Sequence, residues 1–294
     1  MRPLLRPGTH LLARGDGQLQ LGLDPREAVV LPDTPPVRTA LSRLDGSDLA
    51  DERDTGTLDL LSDLALVLDE SALLPLLAET GSPLPRHGTA ALARRCGSGL
   101  PEVVRARTAC RVEVAGYGHP VGASLRARMD ELLTGSGLRM RSRSPRARRT
   151  TVGVLVGVGE PDRELVDPWT RAGTPYLLVR MTEGRARVGP FVVPGRTACL
   201  RCIDAHHTDA DPAWPLLVRQ YAAASARDRA DGAPEPLDPL LAELAVAWAA
   251  RDLASYVDGR RPSTWSSTLT LDPELAALET HTWHRHPECG CAWS

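Results

Sequence analysis

The chain has 294 residues and is 42% hydrophobic, which suits one large globular domain or two ordinary ones. Its formal net charge of -2 argues against a general nucleic-acid binder, because such proteins usually carry a strong basic excess. No apolar run approaches the length of a membrane span, and residues 1–7 lack the apolar stretch of a secretion signal, so we expect a cytoplasmic protein with no membrane partner. All 35 basic residues are arginine, which excludes lysine as a nucleophile or a phosphate clamp.

Short apolar segments separated by turn residues occupy residues 8–31. The alternation in Gln18–Leu21 and the Asp16-Gly17 turn predict a three-stranded antiparallel meander. A helix is expected from Pro35 onward, and a second, leucine-striped helical region from about 57 to 77. Strands followed by short helices indicate a winged-helix-like module over residues 1–82. The alternative is a plain structural cap on the next domain.

A proline- and glycine-rich linker at residues 81–88 joins the two predicted domains, residues 1–82 and residues 83–294, and overlaps the start of the second. In this domain a strand at 111–115 runs into a glycine turn at Gly116, Gly118 and Gly122, and then into an amphipathic helix. Strand, glycine turn and helix open a dinucleotide-binding (Rossmann-type) fold, in which the helix amino terminus attracts phosphate. The loop is degenerate, because its third glycine comes one residue late and His119-Pro120 add bulk where a phosphate needs bare backbone.

The second strand of this domain should end near residues 138–141, where nucleotide-binding folds place an acidic residue on the ribose. Only arginines occur there, at positions 139, 141, 143, 146, 148 and 149. We interpret them as a solvated loop; the alternative is a contact with a 2'-phosphate or an acidic partner. Residues 151–157 are typical of a buried parallel strand. Further strands are predicted at 175–180, 264–271 and 279–284, and helices at 160–172, 215–228 and 237–257.

Two close cysteine pairs, far apart in sequence, predict one structural zinc site. They are Cys199-x-x-Cys202 and Cys289-x-Cys291, and four thiolates form a closed tetrahedral site for zinc. The metal would fasten the end of the chain to its middle. Neighbouring histidines offer the alternative of a catalytic metal with an open position. We favour surface or supporting roles for them, because four thiolates already complete the coordination. These histidines are His206, His207, His281, His284 and His286.

Three stretches of the chain carry a resemblance to a known family. They are the strand, glycine turn and helix at 111–133, the segment VGPFVVPGRTACLRC at 188–202, and HPECGC at 286–291. With the front segment LQLGLDP at 19–25, they resemble the ThiF-like proteins of bacterial peptide natural-product clusters. Those proteins are the leader-peptide-binding partners of cyclodehydratases in thiazole/oxazole-modified microcin pathways. The resemblance covers nearly the whole chain, and residues 189–202 are its most specific part.

The resemblance implies an α/β recognition and scaffold protein that is not itself an enzyme. In such families the winged-helix module accepts an extended leader peptide as an added strand, between an edge strand and a helix. The resemblance implies that the ThiF-like domain, with its zinc clip, presents the core peptide to a separate YcaO-type cyclodehydratase that uses ATP. It also implies a homodimer. The implied peptide-binding residues are Glu27, Ala28, Val29, Val30 and Leu31 on the edge strand, and Leu58 and Leu61 on the helix.

Two other functions are compatible with parts of the sequence. Adenylating enzymes of this fold hold ATP with an unobstructed glycine loop, an acidic residue after the second strand, a lysine and a magnesium-binding aspartate. This chain departs from that pattern at each of these points, with Gly157-Val158-Gly159 where the aspartate is expected, so we do not expect ATP to bind. An NADP-dependent oxidoreductase would explain the glycine loop and the arginines. It would leave the cysteine pairs and the front module unexplained.

Overall fold

The computed structural model describes residues 2–44, 55–79, 84–118, 121–141, 151–227 and 231–291. The chain divides into two compact units, Met1–Arg105 and Ala106–Ser294. The predicted domain boundary follows residue 82, whereas residues 83–105 are grouped with the first unit. Within the described ranges, no helix combines the length and the apolar character that crossing a membrane requires.

Two small sheets form the strand part of the first unit. Strands β2, β3 and β4 make an antiparallel sheet in that order, which confirms the predicted meander, and β1 pairs with β5. Alternation along the strands separates the two faces, since Leu19, Leu21 and Leu31 are buried while Gln18 and Val30 are exposed. The strands are β1 (Pro3–Leu5), β2 (Leu11–Ala13), β3 (Gln18–Leu21), β4 (Val29–Pro32) and β5 (Val67–Asp69).

Five helices accompany these sheets. They are α1 (Pro35–Ser42), α2 (Thr55–Asp63), α3 (Glu70–Ala78), α4 (Arg86–Cys96) and α5 (Leu100–Ala109). The single helical region predicted at 57–77 is wrong in its middle, where β5 separates α2 from α3. Ala65 adopts a left-handed φ of 54° after α2, and the following residues then pair with β1, a strand that the sequence analysis did not identify. The winged-helix interpretation of this unit stays a prediction.

A six-stranded mixed sheet forms the centre of the second unit, in the order β11-β10-β9-β8-β7-β6. Strands β6, β7 and β8 are parallel, whereas β9, β10 and β11 continue the sheet antiparallel. Met140 adds an isolated parallel bridge beside Val112 of β6. The strands are β6 (Val112–Tyr117), β7 (Val152–Val158), β8 (Tyr176–Thr182), β9 (Arg185–Val192), β10 (Ser267–Leu271) and β11 (Leu278–Thr282).

After β6 the chain runs to Met140, which pairs on one side of β6, and then returns to β7, which pairs on the other side of β6. Open α/β sheets bind ligands at the carboxyl ends of strands where successive connections diverge in this way. In this unit that point lies between the carboxyl ends of β6 and β7. Its position follows from the strand order alone and agrees with the Rossmann-type opening predicted at the glycine turn.

Helices cover both faces of the sheet. The helices α6 (Val121–Gly135) and α10 (Pro239–Val257) pack on one face. The other helices of the unit are α7 (Asp167–Arg171), α8 (Leu200–Ala210) and α9 (Trp214–Ser225). Every residue of β7 is buried, as predicted for a strand covered on both sides. The predicted helix at 160–172 is instead a short 3-10 turn, Arg163–Val166, followed by α7, and α8 was not predicted.

Candidate functional site

Four cysteines meet at the start of α8 and the last described residues of the chain. Cys199 is the N-cap residue of α8, and the backbone N–H of Cys202, in the first turn, donates to Cys199 O over 3.0 Å. Cys289 ends a 3-10 helix, and Gly290 then takes a left-handed φ of 73°, which turns the chain toward Cys291. The fold therefore brings together all four residues predicted to bind zinc.

The spacing of the four sulfur atoms fits a tetrahedral metal. The Sγ atom of Cys199 lies 3.7 Å from that of Cys202 and 3.4 Å from that of Cys289, and the Sγ atoms of Cys202 and Cys291 are 3.3 Å apart. Zinc–sulfur bonds of about 2.3 Å place the ligands of a tetrahedron roughly 3.8 Å from one another. The donor set and its dimensions thus fit zinc, which would be held by these four side chains alone, as in closed structural sites.

Cys199, Cys202 and Cys291 differ in how readily they ionise. The contact with the Cys199 thiol lowers the pKa of Cys202 to about 4. The same contact, together with burial, raises the pKa of Cys199, and burial raises that of Cys291 to about 12. Of these three thiols, Cys202 ionises most readily. The raised pKa values of Cys199 and Cys291 mean that binding a divalent metal would release protons.

Two histidines beside the cysteines hold the terminal turn in place. His286 is buried, with Nε2 2.9 Å from the Asp209 carboxylate and Nδ1 accepting the N–H of Glu288 at the start of the 3-10 helix. His206 Nε2 lies 2.9 Å from the carbonyl oxygen of His284. These contacts agree with the supporting role expected for the histidines. The ligand atoms of His206, Asp209 and His286 also lie within 4.8 Å of one another.

The glycine turn occupies the carboxyl end of β6, at the point where the strand connections diverge. Gly118 has a left-handed φ of 81°, and a Cβ atom there would overlap the carbonyl oxygen of Val158. A Cβ on Gly122 would overlap the carbonyl oxygen of Tyr117, and one on Gly116 would lie 3.0 Å from Gly122 O. All three predicted glycines thus allow close backbone contact between β6, β7 and α6. Residues 119 and 120 lie outside the described ranges.

The side chain of Tyr117 lies at the crevice that the ends of β6 and β7 form. Its hydroxyl donates to the carbonyl oxygen of Gly159 over 2.9 Å, and burial raises the pKa of this phenol. A Cβ on Gly157 would lie within 2.6 to 2.7 Å of the tyrosine ring, so this glycine provides the room that the ring occupies. Gly157 and Gly159 stand about where adenylating enzymes have the magnesium-binding aspartate. In the structure both glycines leave room for a neighbouring side chain, Gly157 for that of Tyr117 and Gly159 for that of Ser225 of α9.

A cavity of about 730 Å³ adjoins this crevice and is lined by Tyr117, Gly118 and an ion cluster that the sequence analysis missed. Arg163 donates to both oxygens of Asp204 at 2.8 Å and to Glu160 at 2.9 Å, and Glu160 also accepts from Arg180 at 3.1 Å. Burial alone would raise both acidic pKa values, but Arg180 and Arg163 hold the pKa of Glu160 below its usual range, as Arg163 does for Asp204. Only the fold brings these distant residues together.

The predicted edge strand is β4, which pairs with β3 alone among the described residues. The N–H of Asp33 donates to Gly17 O over 2.9 Å. Since hydrogen-bonded and non-hydrogen-bonded pairs alternate in an antiparallel ladder, this bond shows which residues of β4 are bonded to β3. Val29 and Leu31 therefore exchange hydrogen bonds with β3, while the N–H and C=O of Val30 point away from it. Pro32, which has no N–H, is compatible only with an edge position of this kind.

The side chains of the predicted peptide-binding residues divide into three groups by exposure. Val30 is 44% exposed and Glu27 is exposed, although the Glu27 carboxylate pairs with Arg94 over 2.7 Å. Leu31 and Leu61 are buried in the core of the first unit, so they support β4 from beneath and are closed to a ligand. Ala28, Val29 and Leu58 are half-buried.

Comparison with known proteins identifies neighbours by fold only. The chain matches no protein-family model and no curated protein. The heterocyclase TruD superposes with a TM-score of 0.71 at 16% identity, covering 99% of this chain and 42% of the heterocyclase chain. A heterocyclase in complex with substrate and cofactor gives 0.70 at 17% identity, covering 99% and 39%. E. coli MccB with ATP gives 0.59 at 12% identity, covering 99% and 100%.

These likenesses confirm the predicted resemblance at the level of the fold. Both the heterocyclase and MccB share the architecture that the cysteine segments and the glycine turn indicated in the sequence. The chain spans only about two-fifths of the two heterocyclase chains, whereas it matches MccB over that protein's full length.

Proposed function

We propose that this protein binds the leader region of a ribosomally made precursor peptide and presents it to a separate YcaO-type, ATP-dependent cyclodehydratase that forms azoline or azole rings. The observation that carries the proposal is the open edge of β4. The comparison with known proteins also supports the proposal, because the chain shares its fold with a heterocyclase solved in complex with substrate and cofactor. The protein acts as a recognition partner without catalytic residues of its own, and the zinc clip serves its fold.

An extended leader peptide adds to β4 as a further strand of the meander. The outward-facing N–H and C=O of Val30 form the first pair of backbone hydrogen bonds, and bonds of this kind give affinity that does not depend on peptide sequence. The exposed Val30 side chain provides an apolar contact on the outer face of the sheet, and the neighbouring Glu27 and Arg94 provide charged contacts. Selection among peptides comes from these side chains.

The test is a binding titration with one backbone substitution. A fluorescent leader peptide from a precursor encoded beside this protein's gene should bind with micromolar affinity or better, followed by anisotropy. Val30→Pro removes the outward N–H but none of the hydrogen bonds to β3, so we expect binding to weaken by at least about fivefold while the fold is kept. Val30→Thr keeps the N–H and the branched shape, and is the matched control. Unchanged affinity in Val30→Pro would exclude strand addition at β4.

A second candidate function is ATP-dependent adenylation of a carboxylate. The cavity of about 730 Å³ beside Gly118 favours it, because E. coli MccB, solved with ATP, has the same fold. Against it stand the tyrosine that lies at the crevice and the absence of any lysine from the sequence. The isolated protein should therefore give no ATP-dependent pyrophosphate exchange with any precursor peptide. Exchange above background would establish adenylation in place of a scaffold role.

The scaffold role includes self-association. We propose a homodimer, as the family resemblance implies, and sedimentation velocity on the full chain measures it directly. A monomer at micromolar concentration would remove this part of the proposal and leave peptide binding untouched.

A further inference from the structure

A second cavity, also of about 730 Å³, lies in the second unit on the far side of the Glu160–Arg163–Asp204 ion cluster, and that cluster forms part of its wall. Its floor includes a row of residues that face one another across three strands. Arg187 of β9 lies directly opposite Arg180 of β8 and directly opposite Thr270 of β10. The apolar part of its lining comes from Ile203, Trp214, Leu217, Tyr221 and Trp283.

The two facing arginines are unusual, because like charges directly opposite on adjacent strands repel each other. Arg180 is 6% exposed, and within the described ranges its side chain has one partner, Glu160, which its Nη1 reaches at 3.1 and 3.3 Å. Among the described residues the guanidinium of Arg187 forms no hydrogen bond and no ion pair. Burial and the neighbouring Arg180 both lower the pKa of Arg187, as expected for a half-buried guanidinium beside a like charge.

The side chains that line the cavity leave one guanidinium without a close partner. Three arginines, Arg163, Arg180 and Arg187, stand against three carboxylates, Glu160, Asp204 and Glu183. Glu160 and Asp204 are already bound by Arg163 and Arg180. Glu183 is exposed at the rim and forms no ion pair with Arg187, so a ligand carboxylate would be the close partner that Arg187 lacks.

Two polar atoms beside the facing arginines also lack partners within the described part of the chain. They are Nε of Arg180 and the hydroxyl of Thr182, a residue only 4% exposed. Buried donors of this kind are normally paired, and leaving one unpaired is costly. Unsatisfied donors, a guanidinium without a close partner and a cavity of this size occur together at one place, which is typical of a site for an anionic ligand.

We propose that this cavity binds a ligand with a single carboxylate on an apolar or aromatic group. Arg187 and Arg180 contact the carboxylate, and Trp214 and Trp283 contact the apolar group. Arginine matches a carboxylate because its planar N–H donors can meet both oxygens at once. A single carboxylate matches the one guanidinium that lacks a close partner, whereas a phosphate dianion would bring a second charge close to Glu160 and Asp204. The ligand is a free acid or the C-terminal residue of a peptide. The inference is independent of leader binding at β4.

The first experiment asks which chemical group is recognised. The full-length protein is titrated with 3-phenylpropionate, 3-phenylpropionamide and inorganic phosphate, followed by calorimetry and by the fluorescence of the cavity tryptophans. Saturable binding is expected for the carboxylate, with little or none for the amide or for phosphate. Gly-Phe and its C-terminal amide then separate the two sources, since tighter binding of Gly-Phe than of 3-phenylpropionate identifies a peptide C terminus. Equal binding of acid and amide, or no binding of either acid or Gly-Phe, would overturn the proposal.

The second experiment separates a binding role of Arg187 from a structural one. Arg187→Gln should weaken carboxylate binding by about tenfold or more. In the absence of ligand the same variant should unfold at an equal or higher temperature, because it removes the repulsion with Arg180. Arg185→Gln, exposed on the same strand and outside the cavity lining, is the control and should match the wild type. Wild-type affinity in Arg187→Gln, or a clear loss of stability without ligand, would contradict the assignment.

Discussion

The cysteine cluster and the strand-end crevice lie in the same unit, and both derive from short motifs with a characteristic spacing. They differ in what the motif residues contact. The four cysteines face one another within 4.8 Å, so their chemistry is directed to a common centre. The three glycines face protein backbone, and the ring of Tyr117 packs against Gly157. The cysteines thus present their ligand atoms to one centre, whereas the described contacts of the glycines are packing contacts.

The largest effect should come from breaking the convergent region. Cys199→Ser removes one of the four thiols that could bind zinc, and structural zinc sites contribute free energy of folding directly. We expect the free energy of unfolding to fall by more than about 4 kcal/mol, with the midpoint of thermal unfolding lowered by roughly 10 °C or more. Calorimetry measures the midpoint, and elemental analysis should give one zinc per wild-type chain.

The control for this substitution is Cys96→Ser, which changes a half-buried thiol that belongs to no cysteine cluster. It should retain the metal and shift the midpoint little. Protein purified without chelator and found free of metal would refute the zinc site, however well the sulfur distances fit.

The next largest effect concerns the crevice and tests whether its glycines serve packing. Gly118→Ala places a methyl group against the carbonyl of Val158 at a left-handed φ of 81°, so both overlap and backbone strain oppose folding. We expect a loss of about 3 kcal/mol, measured by urea unfolding. Gly173→Ala has a similar φ of 65° with nothing within 4 Å, and should lose only the strain, about 1 kcal/mol. Equal losses in the two variants would show that close approach at Gly118 is not the cause.

The sequence was sufficient for prediction where the pattern is local, or where distant residues of the same type are expected to bind one metal. The meander followed from the alternation of Gln18–Leu21, and the cluster of four cysteines from two cysteine pairs, although 90 residues separate Cys199 from Cys289. It failed where a partner had to be known first. The strand β5 forms because β1 pairs with it, and the 57–77 segment alone resembles a continuous helix.

The ion clusters of the second unit could not be predicted for the same reason. Glu160, Arg180 and Asp204 are unremarkable in sequence, and only the parallel order of β7 and β8 with the position of α8 brings them together. Arg187 in particular stands among many arginines, and nothing in the sequence distinguishes it. Its significance comes from the register that places it opposite Arg180.

The smallest expected effect is a difference in acid sensitivity between the two regions. The pKa of Asp204 is held below its usual range by Arg163 against the opposing effect of burial, so the carboxylate stabilises the fold above its unfolded pKa of about 4. That stabilisation is lost as the pH falls through the lower folded pKa. Protonation of the cysteines also releases zinc in acid, but this affects wild type and variant alike. Asp204→Asn should therefore lower stability at pH 7 and approach the wild type near pH 3, in urea unfolding across that range.

Glu274→Gln, an exposed acid-to-amide change, should follow the wild type throughout. A gap for Asp204→Asn that stays constant with pH would mean that its contribution is packing and that the ion cluster carries no charge-dependent stability.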